Sequence, residues 1–469
     1  MIKSILGLAV AILLWSGTVN ADTIQETTDS YGPFGTLHIY KASDNPSHVV
    51  LFISGDGGWN LGVVDMARSL AELDSMVVGI DITHYVQELN NGSEKCSYGA
   101  AHFEGLSQYL QKKMEFPRYI PPVLVGYSSG ATMVYATLAQ SPPNTFAGGI
   151  SLGFCPDLKT VHPFCKGSGA LTATTDTKLG FIYQTVDNLP SRWAVLQGNQ
   201  DQVCSTPDTK VFVGKVGNSQ LIELPTVGHG FSVEKNWMPQ FKDAFQKITS
   251  AQQSSSEPTP SPTEVSDLPL VELTVKGTSD TMAIIVSGDG GWAGIDKQIG
   301  ETLNTDGIPV VGLNSLQYFW DKKSPDISGA DLTRILTYYG KAWNAKRFIL
   351  VGYSQGADTL PFMVNRLPTD LKAQVSSVAL LGLEADVNFE FHVADWLTSN
   401  GGDFKVVPEV ERLRGMNVVC IYGSDEDDSA CKMLDKTVAD VVELSGGHHF
   451  GGDYQALAKI ILDHSKSSP

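Results

Sequence analysis

The stretch PPVLVGYSSGAT, residues 121–132, has a near copy in RFILVGYSQGAD, residues 347–358. In each, an apolar run leads into G-x-S-x-G, and an Ala-led stretch of helix-forming character follows. A buried strand that passes through such a motif into a helix is a nucleophile elbow, whose flanking glycines permit the tight turn that presents a Ser hydroxyl. Ser128 and Ser354 are therefore the candidate nucleophiles.

A second motif keeps step with the first. SGDGGW stands at Ser54–Trp59 and again at Ser287–Trp292, each time after an apolar run, HVVLFI or MAIIV. Two motifs recurring in the same order mark two copies of one domain. Around them the order of elements repeats. An opening strand pair (Leu37–Tyr40 with Val49–Ile53; Val271–Val275 with Ala283–Val286) precedes the Gly-rich loop, then come a helix and a further strand, Met76–Ile80 or Ile308–Leu313. Strands alternating with helices over about 200 residues predict two tandem α/β-hydrolase-like domains, each a mostly parallel sheet flanked by helices. Residues 250–268, SAQQSSSEPTPSPTEVSDL, read as a Ser/Pro-rich linker between a first domain at 22–249 and a second at 269–469.

Residues 1–21 carry Lys3, an apolar run and Val19-Asn20-Ala21, the pattern of a secretory signal peptide ending at Ala21 and hence of an exported protein. No later stretch has the roughly 18 apolar residues of a membrane span. The net charge of −18 argues against a nucleic-acid partner and favours a cationic substrate. All six cysteines lie beyond the signal, four in the first half and two in the second, so disulfides within domains are expected. Cys420 pairs with Cys431 by elimination, and three pairings stay open among Cys96, Cys155, Cys165 and Cys204. Neither CxxC nor HExxH occurs, so no metal is expected, and no cofactor is implied.

A Ser nucleophile needs a His base oriented by a carboxylate, in the chain order Ser, acid, His. The first half offers Ser128, Asp201 and His229. The second offers Ser354, then the acidic loop after Gly423, then His448 and His449. Aligning GHGF with GHHF makes His448 the base and His449 a neighbour. Counting from the strand-end glycine selects Glu426 as the acid, with Asp427 and Asp428 as alternatives. The oxyanion donors would be the backbone NH of Ser129 or Gln355, and the Gly-rich loop, Gly55, Asp56 and Gly57 or Gly288, Asp289, Gly290 and Gly291. Asp56 and Asp289 either cap the following helix or bind an ammonium group of the substrate.

Together, SGDGGW, GYSxG, the acidic loop before a Cys and GGHHF resemble the bacterial VirJ-type virulence protein family, and the two-copy layout resembles its longer, AcvB-like members. The resemblance covers nearly the whole mature chain and is most specific in residues 270–469. It implies a periplasmic α/β-hydrolase that removes lysine from lysyl-phosphatidylglycerol at the membrane surface, linked to type IV secretion and its proteins. It also implies Ser354 as nucleophile and His448 as base. The first copy departs from the pattern at GHGF and NQDQVC. The rival expectations are a general carboxylesterase and a non-catalytic periplasmic binding or chaperone protein.

Overall fold

The computed structural model describes residues 24–92, 94–167, 169–256, 265–391 and 402–466. The expected signal peptide, residues 1–21, lies outside the described residues. In the first half an eight-stranded sheet runs, edge to edge, Gln25–Ser30, Thr36–Lys41, Ser75–Ile80, His48–Ile53, Val123–Tyr127, Gly148–Leu152, Asn188–Gly198 and Gly217–Leu224. Its first three strands pair antiparallel and the rest parallel. The second half repeats this with seven strands, Leu270–Leu273, Val310–Leu313, Thr281–Val286, Arg347–Tyr353, Val375–Leu381, Val418–Gly423 and Asp440–Leu444. Here only the first pair is antiparallel.

Continuous apolar runs form these strands because helices cover both faces. Along His48–Ile53, Val49, Leu51 and Ile53 enter one core while Val50 and Phe52 enter the other. Thr281–Val286 does the same, with Met282, Ile284 and Val286 on one face and Ala283 and Ile285 on the other. Alternation of side chains along a strand thus feeds two cores per domain.

The expected linker, residues 250–268, is corrected at both ends. Helix Met238–Ser256 runs into it, since Ala251, Gln252 and Gln253 are good helix formers. At the other end Val265 and Leu268 are buried in the core of the second half. Three disulfides form: Cys420–Cys431 as expected, and Cys96–Cys165 with Cys155–Cys204 from the open set. Among the described residues no helix is long and apolar enough to cross a membrane.

The two halves touch. Trp320 Nε1 donates to Phe116 O at 2.7 Å, Lys112 pairs with Glu390 at 3.1 Å, and Tyr119 packs in a small apolar cluster with Leu316, Trp320 and Phe391.

Candidate active site

Each G-x-S-x-G joins a central strand to a helix, Ser129–Gln140 or Gln355–Asn365. Ser128 has φ 56° and ψ −120°, Ser354 φ 51° and ψ −124°. A non-Gly residue held there costs about 1–3 kcal/mol, a strain that clusters at functional turns. Backbone bonds from Ser128 N to Leu152 O and from Ser354 N to Leu381 O, both 2.9 Å, hold the turn. The glycines are obligatory: a Cβ on Gly126 would lie 2.1 Å from Gly130 O, and one on Gly356 would lie 2.0 Å from Val286 O.

In the first domain the three sequence candidates meet. Ser128 Oγ is 3.0 Å from His229 Nε2, and His229 Nδ1 is 2.8 Å from Asp201 Oδ2. Asp201 also accepts from Gln197 Nε2 and from the backbone NH groups of Val203 and Cys204, so its carboxylate is fixed on every side. In the second domain His448 Nδ1 is 2.6 Å from Glu426 Oε1. The other Glu426 oxygen accepts from Gly423 N at 2.6 Å. That bond explains why counting from the strand-end glycine finds the acid facing the histidine. Among the described residues Asp427 and Asp428 form no hydrogen bond with His448, and no hydrogen bond joins Ser354 to His448. His449 instead approaches Tyr353 OH through Nδ1 at 3.2 Å, and burial, then His448, lowers its pKa.

The tyrosine of each motif is a positioning residue that the sequence reading passed over. Tyr127 OH donates to His229 O at 2.9 Å, and Tyr353 OH to His448 O at 3.3 Å. The signal was available, since both copies read GYS rather than GxS.

SGDGGW packs against the nucleophile in both halves. A Cβ on Gly55 would lie 3.1 Å from Ser128 Cβ, and one on Gly288 3.5 Å from Ser354 Cβ. The loop is pinned by its tryptophan, which lies so close over the next strand that a Cβ on Gly79 or Gly312 would sit 2.1 or 2.2 Å from the Trp59 or Trp292 ring. Gly57 and Gly290 are exposed, while Gly291 closes its turn by donating to Gly288 O at 3.0 Å. Ser129 and Gln355 open helices, where first-turn NH groups have no intrahelical acceptor. Asn60 and Ala293 occupy the cap positions of the helices that follow, and neither makes a side-chain cap hydrogen bond. Asp56 is exposed, whereas Asp289 is half-buried.

The electrostatics of the two copies diverge around this shared frame. Where the first domain has Val63, Thr132 and Cys155, the second has Asp296, Asp358 and Glu384. Thr132 Oγ1 donates to Cys155 O at 2.6 Å, and in the same place Asp358 Oδ1 accepts from Glu384 N at 2.7 Å. Burial drives the Asp296 and Asp358 carboxyls well above the ordinary range, with Asp289 adding to both. Glu384 is raised by burial, opposed by His448. In the first domain Asp201, Cys204 and His229 bring ligand atoms within 4.8 Å of one another. The Cys204 sulfur is bonded to Cys155, which removes the thiolate a metal would need.

A central parallel sheet covered by helices, with a strained serine between strand and helix, places both halves in the α/β-hydrolase fold class. The chain belongs to the bacterial virulence protein (VirJ) family, whose model matches residues 47–149 and 280–468. Similar solved structures include a dienelactone hydrolase from Anabaena variabilis, 16% identical over 47% of this chain and 95% of its own, with a TM-score of 0.34. Est1E from Butyrivibrio proteoclasticus is 11% identical over 49% and 99%, TM-score 0.32. An α/β serine hydrolase from Xanthomonas campestris is 17% identical over 49% and 94%, TM-score 0.31. No curated protein matches the chain.

Proposed function

We propose that the protein is a periplasmic serine hydrolase that cleaves the aminoacyl ester of lysyl-phosphatidylglycerol, with Ser354 as nucleophile, His448 as base and Glu426 as the carboxylate that orients it. The observation that carries this reading is the His448–Glu426 pair at 2.6 Å beside the strained Ser354. His448 takes the Ser354 proton as Oγ attacks the ester carbonyl, and Glu426 stabilises the imidazolium. The oxyanion is met by the Gln355 NH and the Gly288–Gly291 loop. His448 then protonates the departing glycerol oxygen, and water, activated by the same imidazole, releases lysine and restores Ser354. Acidic groups around Ser354 suit a substrate whose acyl part carries two ammonium charges.

A second reading rests on the Ser128–His229–Asp201 relay, connected throughout at 3.0 and 2.8 Å. It gives the first domain an acyl-transfer centre of its own, with Val63, Thr132 and Cys155 in place of the second domain's Asp296, Asp358 and Glu384, which suits an uncharged ester. Assay of the purified protein on lysyl-phosphatidylglycerol beside a neutral acyl ester tests the main reading. Ser354→Ala should reduce lysine release by about 10³-fold or more. A preference for the neutral ester would favour a general carboxylesterase. Full function of Ser354→Ala in cells would favour a non-catalytic role toward secretion-system partners.

A further inference from the structure

The SGDGGW loops of the two halves are held differently. In the first, Asn60 Nδ2 donates to Gly57 O at 2.6 Å, and Asp81 Oδ2 accepts from Trp59 N at 3.2 Å. Ala293 stands in place of Asn60 and brings no side-chain donor. Asn314 stands in place of Asp81 and turns its oxygen to Gln317 N at 3.2 Å. A bond from Gly288 N to Asp296 Oδ2 is present instead, long at 3.4 Å.

The first domain supplies a substitute. Asn144 Nδ2 donates to the carbonyl of Trp292, the last residue of the loop, at 3.1 Å. Pro142 packs beside Gly294, where a Cβ would lie 3.7 Å from the Pro142 Cβ. Both residues follow helix Ser129–Gln140, whose opposite end presents Ser128. The start of the loop is bonded to Ser315, which donates from N to Ser287 Oγ at 2.9 Å and from Oγ to Ser287 O at 2.6 Å. The segment that Ser315 begins is gripped by the first domain. Tyr119 packs there with Leu316, Trp320 and Phe391, Trp320 Nε1 donates to Phe116 O at 2.7 Å, and Trp320 O accepts from Lys112 Nζ. A loop held at both ends keeps its backbone NH groups aimed without reorganisation, which is what stabilising an oxyanion requires.

We propose that Asn144 of the first domain is a positioning residue for the second domain's SGDGGW loop, so that the first domain sets the reactivity of Ser354 without turnover at Ser128. The catalytic consequence deepens the reading of Ser354 as nucleophile, and rests on it. Asn144 has φ 71°, a left-handed conformation that Asn and Gly adopt readily. Glycine at this position therefore deletes the amide and spares the backbone.

The test uses the full chain, with labelling resolved by site through peptide mass spectrometry. In Asn144→Gly the fluorophosphonate labelling rate at Ser354 should fall about tenfold, part of the roughly 10²–10³-fold loss that follows removal of a whole oxyanion donor. Ser128, at the far end of the helix that leads to Asn144, should keep its rate and so reports any general damage. An unchanged rate at Ser354, or equal loss at both serines, overturns the proposal. Asn144→Asp also accepts the left-handed backbone but sets a carboxylate oxygen against Trp292 O, so it should lower Ser354 labelling at least as far. Wild-type labelling of Ser354 in that variant overturns the proposal too. Hydrogen exchange separates this from failure of the hydrolase reading. Amides of residues 287–293 should exchange about fivefold faster in Asn144→Gly, as expected for one lost hydrogen bond, while those of residues 54–60 stay unchanged. Unchanged exchange at 287–293 overturns the positioning role whatever Ser354 does. Faster exchange there in a protein whose Ser354 takes no label sinks the nucleophile reading and leaves the positioning role standing.

Discussion

Glu426 Oε1 lies 2.6 Å from His448 Nδ1, while its second oxygen accepts from the backbone NH of Gly423 at 2.6 Å. The acid is thereby locked to the strand end and cannot trade places with the two aspartates that follow it. Glu426→Gln should lower kcat on an aminoacyl ester by about 10²–10⁴-fold, through loss of imidazolium stabilisation and of the ring's orientation. Asp427→Asn and Asp428→Asn should each stay within about threefold of wild type, as expected of acids outside the relay. Steady-state kinetics on the three variants decide it; a large loss in either aspartate variant would reassign the acid.

Two nucleophiles should be reactive. Ser128 already sits 3.0 Å from its base, and a relay that is loose in an empty site tightens when substrate or inhibitor binds. A fluorophosphonate probe should therefore label Ser128→Ala and Ser354→Ala singly and leave the double variant unlabelled. Complete loss of label in one single variant would show that the other serine is idle.

Asp289 is half-buried beside the domain junction, whereas Asp56, in the same six-residue motif, is exposed. Asp289→Asn should raise KM for a lysine ester by about tenfold and by far less for a neutral ester. Asp56→Asn should change neither ratio. Parallel KM measurements on both esters check this, and equal effects of Asp289→Asn on the two would refute an ammonium-binding role.

Stability should fall as pH rises. The Glu104 carboxyl goes from an ordinary 4.5 to about 8 in the folded protein. The folded state therefore holds more protons than the unfolded chain across that window, and stability present below it is lost as pH climbs through it. Asp296 and Asp358 are raised for the same reason and act in the same direction. Glu104→Gln removes one of these groups, so its Tm should exceed that of wild type by more at about pH 8 than at about pH 5. A gap that is constant with pH would contradict the raised carboxyl.

The Cys155–Cys204 disulfide, spanning 49 residues, anchors the loop on which Asp201 accepts from Cys204 N at 2.8 Å. Replacing both cysteines with serine should cost about 2–5 kcal/mol in denaturant unfolding. It should slow fluorophosphonate labelling at Ser128 and leave Ser354 labelling unchanged. Equal slowing at both serines would mean the bond acts through global stability alone.

Duplication, fold class and the candidate serines and histidines were legible because each rests on local pattern. Apolar runs set the strands, and glycines at fixed offsets permit the elbow, as the closeness of Gly126 to Gly130 shows. Pairing of Cys420 with Cys431 followed from arithmetic. The linker was misjudged at its ends because Ala-Gln-Gln extends a helix and because Val265 and Leu268 find a core that composition does not reveal.

What sequence by itself determined is therefore the chemistry each half can attempt, since a strand, a tight turn and a helix are local consequences of residue type. Tertiary structure alone decided which of four cysteines join, and that Asn144 of the first half meets Trp292 of the second. Those relations depend on loops and domains packing across long separations in the chain, where side-chain reach and desolvation, not sequence spacing, set the distances.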